Sequence, residues 1–134
     1  MRKFAVAAAV AIAACSAGAD SRLAERAVDE FHQMLDAGQF EAMYSASADE
    51  LQKATTQEQF VALLGAVHRK LGSVKAATRK NWNVNYQPSG TFVTLVYSTS
   101  YAEGEAAEQF VYRMQDGKAL LAGYHVNSNA LILR

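Results

Sequence analysis

TFVTLVYSTSYAEGEAAEQFVYRMQDGKALLAGYHV, running from Thr91 to Val126, decides the fold. It divides into three strands, Thr91–Tyr101, Ala106–Gln115 and Lys118–Val126, with turns at Glu103-Gly104 and Asp116-Gly117. In the first strand Phe92, Thr94, Val96 and Ser98 face one way, and Val93, Leu95, Tyr97, Thr99 and Tyr101 the other. Neither side is strongly polar, which predicts a central position in a sheet. Two registers compete in the last hairpin. A two-residue Asp116-Gly117 loop sets Tyr112 opposite Leu121, and a three-residue loop with a bulge at Gly117 sets Tyr112 opposite Leu120. The second gathers Phe110, Tyr112, Met114, Leu120, Ala122, Tyr124 and Val126 on one face. It leaves Gln109, Val111, Arg113, Leu121, Gly123 and His125 on the other. Because register follows the apolar pattern, we prefer it.

Working outward, Lys75–Gln87 alternates Trp82, Val84 and Tyr86 with Asn81, Asn83 and Asn85, the mark of a half-buried strand. Pro88-Ser89-Gly90 turns it into the next. Upstream the period changes to helical. From Ser21 to Ala37, Leu23, Ala27, Phe31, Met34 and Leu35 share a stripe, with Gly38 as the stop. Gln39–Ser45 makes a short second helix. Ser47-x-x-Glu50 and Thr55-x-x-Glu58 have the form of capping boxes. The latter opens a helix whose stripe is Phe60, Leu63, Leu64, Val67 and Leu71, closed by Gly72. The expected core sets Phe60, Leu64 and Val67 against Trp82, Val96 and Tyr112.

The N-terminus has the form of an address. Met1-Arg2-Lys3 is a charged start, and Phe4–Ala14 is an apolar run shorter than the roughly 20 residues a spanning helix needs. Ile12-Ala13-Ala14-Cys15 resembles a bacterial lipobox, which makes residues 1–14 a lipoprotein signal peptide and Cys15 the lipidated residue. Ala17-Gly18-Ala19 is a competing ordinary cleavage site, with 1–19 as the signal and a soluble periplasmic product. We read residues 15–20 as a short tether and 21–134 as one α+β domain. Ser16, rather than an Asp, follows the cysteine, so the expected location is the outer membrane, facing the periplasm.

Composition narrows the classes. The chain has 134 residues, 51% hydrophobic and 19% charged, enough for one domain with a modest core. Loss of Arg2 and Lys3 with the signal leaves eleven basic residues against thirteen acidic, a net of −2. That balance excludes the basic excess of a nucleic-acid binder. One cysteine excludes an internal disulfide.

Helices followed by a four-stranded antiparallel meander define an α+β domain, its helices packed on one sheet face. Met34-Leu35-Asp36-Ala37-Gly38-Gln39-Phe40, Leu71-Gly72-Ser73-Val74, and Asp116-Gly117-Lys118 leading to Ala122-Gly123-Tyr124 carry a resemblance. They are similar to small exported bacterial proteins of cystatin-like or NTF2-like fold, especially a domain group of unknown function. That group usually shows Trp just after the Asp-Gly turn, where this chain has Ala119. The resemblance implies a fold and a location.

No Cys/His metal spacing, Gly-rich phosphate loop or Gly-x-Ser-x-Gly elbow occurs, so no cofactor or metal is expected. His32 and His68 lie among charged helix neighbours, where a surface position is the expectation. Some proteins of the wider NTF2-like fold pair a Tyr with an acid in a pocket. Here the expected inner face offers tyrosines but no strand acid, with Glu108 taken as solvated. The expectation is therefore a non-catalytic envelope lipoprotein module that binds a protein partner or small apolar ligand through its sheet. Its partners would be the membrane through a lipid anchor, and an envelope protein or a second copy in a weak homodimer. The uncovered outer face around Val111, Leu121 and His125 would carry self-association. The alternative is a ligand receptor or enzyme whose pocket uses His125 with Tyr112 or Tyr124.

Overall fold

The computed structural model describes the backbone of residues 2–133 and the side chains of residues 16–133. The signal-peptide reading and the Cys15 lipidation site lie outside the residues whose side chains are described. The order is α1 (Arg2–Asp36), α2 (Phe40–Ser45), α3 (Asp49–Ala54), α4 (Gln57–Leu71), β1 (Val74–Gln87), β2 (Gly90–Tyr101), β3 (Gly104–Gln115), β4 (Lys118–Asn127) and α5 (Asn129–Leu133). The strands form one antiparallel meander, β1-β2-β3-β4. This is the expected α+β architecture.

The helix lying on the sheet is α1. Ala24, Val28, Phe31 and Leu35 recur at helical spacing, and all are buried. α1 touches all four strands, whereas α4 packs mainly on α2, α5 and α1. The expected packing of α4 on Trp82 and Val96 is thereby corrected. Val96 lies on the outer face, and Trp82, although in phase with inward Leu95, stands on the uncovered edge strand and is 42% exposed. Phe60, Leu64, Val67 and Leu71 are nevertheless buried, so the α4 stripe has the expected role against other helices.

Local chemistry sets the element ends. α1 stops in a Schellman turn: Gln39 N–H donates to Met34 O at 3.0 Å and Gly38 N–H to Leu35 O at 3.1 Å, with Gly38 at φ 72°. The α4 capping box is Thr56 with Gln59, one residue later than the sequence suggested. Ser47 does not cap α3. Its hydroxyl donates to Tyr44 O at 2.5 Å, and Glu50 instead meets Arg113.

The last hairpin takes the two-residue register, not the preferred one, at its turn, and a register that neither candidate gave beyond a bulge. Gln115 pairs with Lys118 across a two-residue turn, with Asp116 at φ 54° and Gly117 at φ 73°, and Tyr112 faces Leu121. The bulge sits at Ala122, between the Val111–Gly123 and Tyr112–Leu121 pairs. Leu121 therefore turns inward and is buried, contrary to the preferred register, while Phe110 and Tyr124 stay in phase with it. A displaced bulge satisfies the Asp-Gly turn and the apolar sorting together.

Candidate functional site

Two polar features occupy the helix-covered face of the sheet. The first is centred on Glu108. Strand alternation puts Glu108 in phase with Phe110 and Tyr112, so it points into the core and is 1% exposed. Its solvated assignment is corrected, and so is that of His32, which is 6% exposed on α1. His32 Nε2–H donates to Glu108 Oε1 at 2.8 Å. Tyr101 and Tyr124 donate from β2 and β4 to Glu108 Oε2, at 2.7 and 2.5 Å. Phe31 and Phe110 close over the group, with Phe31 and Tyr124 ring centroids 4.7 Å apart.

Burial works against the charge of Glu108. The hydrogen bond and positive field of His32, with help from Tyr124, outweigh it and hold the carboxyl below its ordinary range. Thr99 Oγ1 falls short of hydrogen-bond geometry to any partner. The tyrosines move the other way: burial first, then the neighbouring carboxylate, pushes the Tyr101 and Tyr124 hydroxyls up. They are donors at any physiological pH. Glu108 is an acceptor filled on both oxygens, with no exposed side-chain surface. This arrangement ties α1 to three strands and presents no reacting atom to solvent.

The second feature is a groove of about 450 Å³ between α1 and the β3–β4 hairpin, lined by Leu23, Arg26, Ala27, Glu30, Lys118, Ala119 and Leu120. A narrower space of about 80 Å³ shares Ala27, Glu30, Ala46 and Ala119, and adds Phe31, Met34, Met43, Tyr112 and Leu121. Ala119, the position of Trp in the resembling group, lines both. Tyr112 is 2% exposed, and its buried hydroxyl has no hydrogen-bond partner. Burial foremost pushes that hydroxyl well above its ordinary pKa, so it stays protonated. The same burial, with Glu25 next, lifts Tyr97 to about 12.

The structure separates the residues grouped for the alternative pocket. Tyr112 and Tyr124 are buried on the inner face, whereas His125 is exposed on the outer one. There His125 borders an open depression of about 410 Å³ with Asn83, Phe92 and Val111. Glu50, which also lines that depression, accepts from Arg113 at 3.0 Å, and Arg113 donates further to Ser89 O at 2.6 Å. Sequence reasoning missed Glu108 and His32, although both were in phase with buried neighbours. Among the described residues, no group of His, Cys, Asp and Glu could hold a metal, and no helix is long and apolar enough to cross a membrane.

The fold and the match over residues 27–124 define the class: the chain belongs to the family described as "Protein of unknown function (DUF4019)". No curated protein matches it. Among solved structures it is similar to a protein from Catenulispora acidiphila, with 17% identity, a TM-score of 0.55, and coverage of 88% of this chain and 97% of that one. It is also similar to Aln2 from a Streptomyces species, with 11% identity, a TM-score of 0.53, and coverage of 85% of this chain and 93% of that one. Both likenesses concern the fold alone.

Proposed function

We infer that the protein is a non-catalytic binding module of the bacterial envelope, and that its groove takes a small, largely apolar ligand carrying one hydrogen-bonding group. The observation that carries this reading is the unpartnered hydroxyl of Tyr112, a residue that lines the narrower space sharing Ala27, Glu30, Ala46 and Ala119 with the groove. A buried donor without an acceptor is unfavourable, and a ligand oxygen reaching it would supply the missing partner. The lining suits the class: apolar walls, with Arg26, Glu30 and Lys118 as polar groups. Glu108 supports the non-catalytic half, because its oxygens are filled and closed off.

The reading includes export and lipidation at Cys15, supported by the Ile12-Ala13-Ala14-Cys15 sequence. Membrane fractionation of wild type and Cys15→Ser tests it. Wild-type protein recovered soluble with Asp20 at its N-terminus and no acyl mass contradicts it. Titration with N-phenyl-1-naphthylamine tests the groove. Saturable binding is expected in wild type and its loss in Ala119→Trp, whose indole would fill the groove. Equal binding by both proteins contradicts the reading.

A further inference from the structure

The outer edge of β1 is the longest unpaired backbone among the described residues. β1 pairs only with β2, and it is exposed along nearly all of its 14 residues. Free edges invite pairing, and proteins guard them with lysines and bulges. Here the guards occupy only one half. The two register shifts fall between Val74 and Ala76 and between Arg79 and Asn81, so the extra residues are Lys75 and Lys80. Arg79 in that half is engaged by Glu25. Asn81–Gln87 carries no charge and no bulge, yet holds Trp82 at 42% and Tyr86 at 58% exposure. The Trp82 N–H donates to the Asn81 side chain at 2.8 Å, a local stand-in for a neighbouring strand.

We propose that Asn81–Asn85 pairs antiparallel with the same segment of a second copy about a two-fold axis at Asn83, joining two sheets into one of eight strands. In this register Asn83 faces Asn83, Asn81 faces Asn85, and Trp82 faces Val84 of the other copy. Trp82 and Val84 share the helix-side face of the sheet, so the pairing makes an apolar cluster there and an asparagine ladder on the other face. Lys80 meets Tyr86, and Arg79 meets Gln87. Lys75 falls beyond the paired segment, so no two cations oppose. A register centred on Ala77 would set Lys75 against Arg79, and like charges directly opposite destabilise a pair. Charge therefore rejects the lysine half, and within the uncharged half the Asn83 axis is the one that sets Trp82 against Val84. An acidic strand from another protein would be drawn to residues 75–80, where both bulges interrupt the edge. The paired segment is short, so the dimer is weak and depends on concentration.

Sedimentation equilibrium of the intact chain, wild type against Asn83→Lys and Asn83→Asp, tests the proposal. Asn83 is exposed, so both variants keep the fold. Each would set two like charges face to face at the axis and weaken the dimer by about tenfold or more. Mixing the two variants in equal amounts should restore wild-type association or better, because Lys then faces Asp. A wild type that stays monomeric into the millimolar range overturns the proposal. So does a dimer unaffected by either variant, or one the mixture fails to restore.

Discussion

Glu108 and Tyr112 lie four residues apart on the same strand and the same face, and both are all but fully buried. Glu108 has three donors from three elements around it, whereas the Tyr112 hydroxyl has no partner. Buried polar groups in folded proteins are nearly always paired. A paired one therefore needs no further explanation than the fold it secures, and an orphan beside a groove asks what completes it. The contrast separates the part of the core that holds the molecule together from the part that can receive something.

The widest gap between the two positions should appear on removal. Glu108→Ala would leave His32, Tyr101 and Tyr124 buried without their acceptor. Leaving buried donors without their acceptor costs about 1–3 kcal/mol for each, read from urea midpoints. A loss below about 1 kcal/mol would mean that the network is incidental. Leu64→Ala on α4 supplies the purely apolar reference. Leu64 is fully buried, so a cavity should cost about 2–5 kcal/mol, and an unchanged melting temperature would remove it from the core.

Acid should sharpen the contrast further. The folded-state pKa of Glu108 is depressed below the unfolded glutamate value of about 4.3. Its stabilisation is therefore present above that value and is lost as pH falls through the lower folded value. Urea midpoints should decline below about pH 4.3 in wild type. Glu108→Gln, which cannot titrate there, should show a flatter decline. Parallel acid limbs would place the acid-sensitive group elsewhere.

Tyr112→Phe should have the smallest effect on the fold. It deletes a hydroxyl that makes no bond, so stability should stay within about 0.5 kcal/mol of wild type or rise slightly. A loss of more than about 1 kcal/mol would show that the hydroxyl has a partner in solution, since that is what a made hydrogen bond contributes.

Much of this was legible in the sequence. The four strands, the Gly72 stop and the Asp116-Gly117 turn follow from alternation and turn chemistry, which are local. The bulge at Ala122 was not legible, because turn and apolar pattern taken separately demand different registers and only the folded pair shows where the extra residue goes. Glu108 and His32 were read as solvated, since an ionisable side chain in isolation prefers water. Their partnership spans 76 residues of chain, and burial is tolerable only once those partners meet. The phase was nonetheless visible: Glu108 alternates with Phe110 and Tyr112, and His32 sits four residues after Val28 and three before Leu35. The dominance of α1 over α4 on the sheet depends on packing that no single segment encodes.

The central claim is that Tyr112 and its groove form the receptive site while the Glu108 side stays closed. The most direct measurement is a set of amide nitrogen–proton NMR spectra of the folded protein titrated with N-phenyl-1-naphthylamine. Saturable shifts are expected at Ala27, Glu30, Tyr112 and Ala119, with little change at Gln109 and His125, and weaker binding in Tyr112→Phe. Shifts confined to Gln109, Val111 and His125, or none at all, would contradict it.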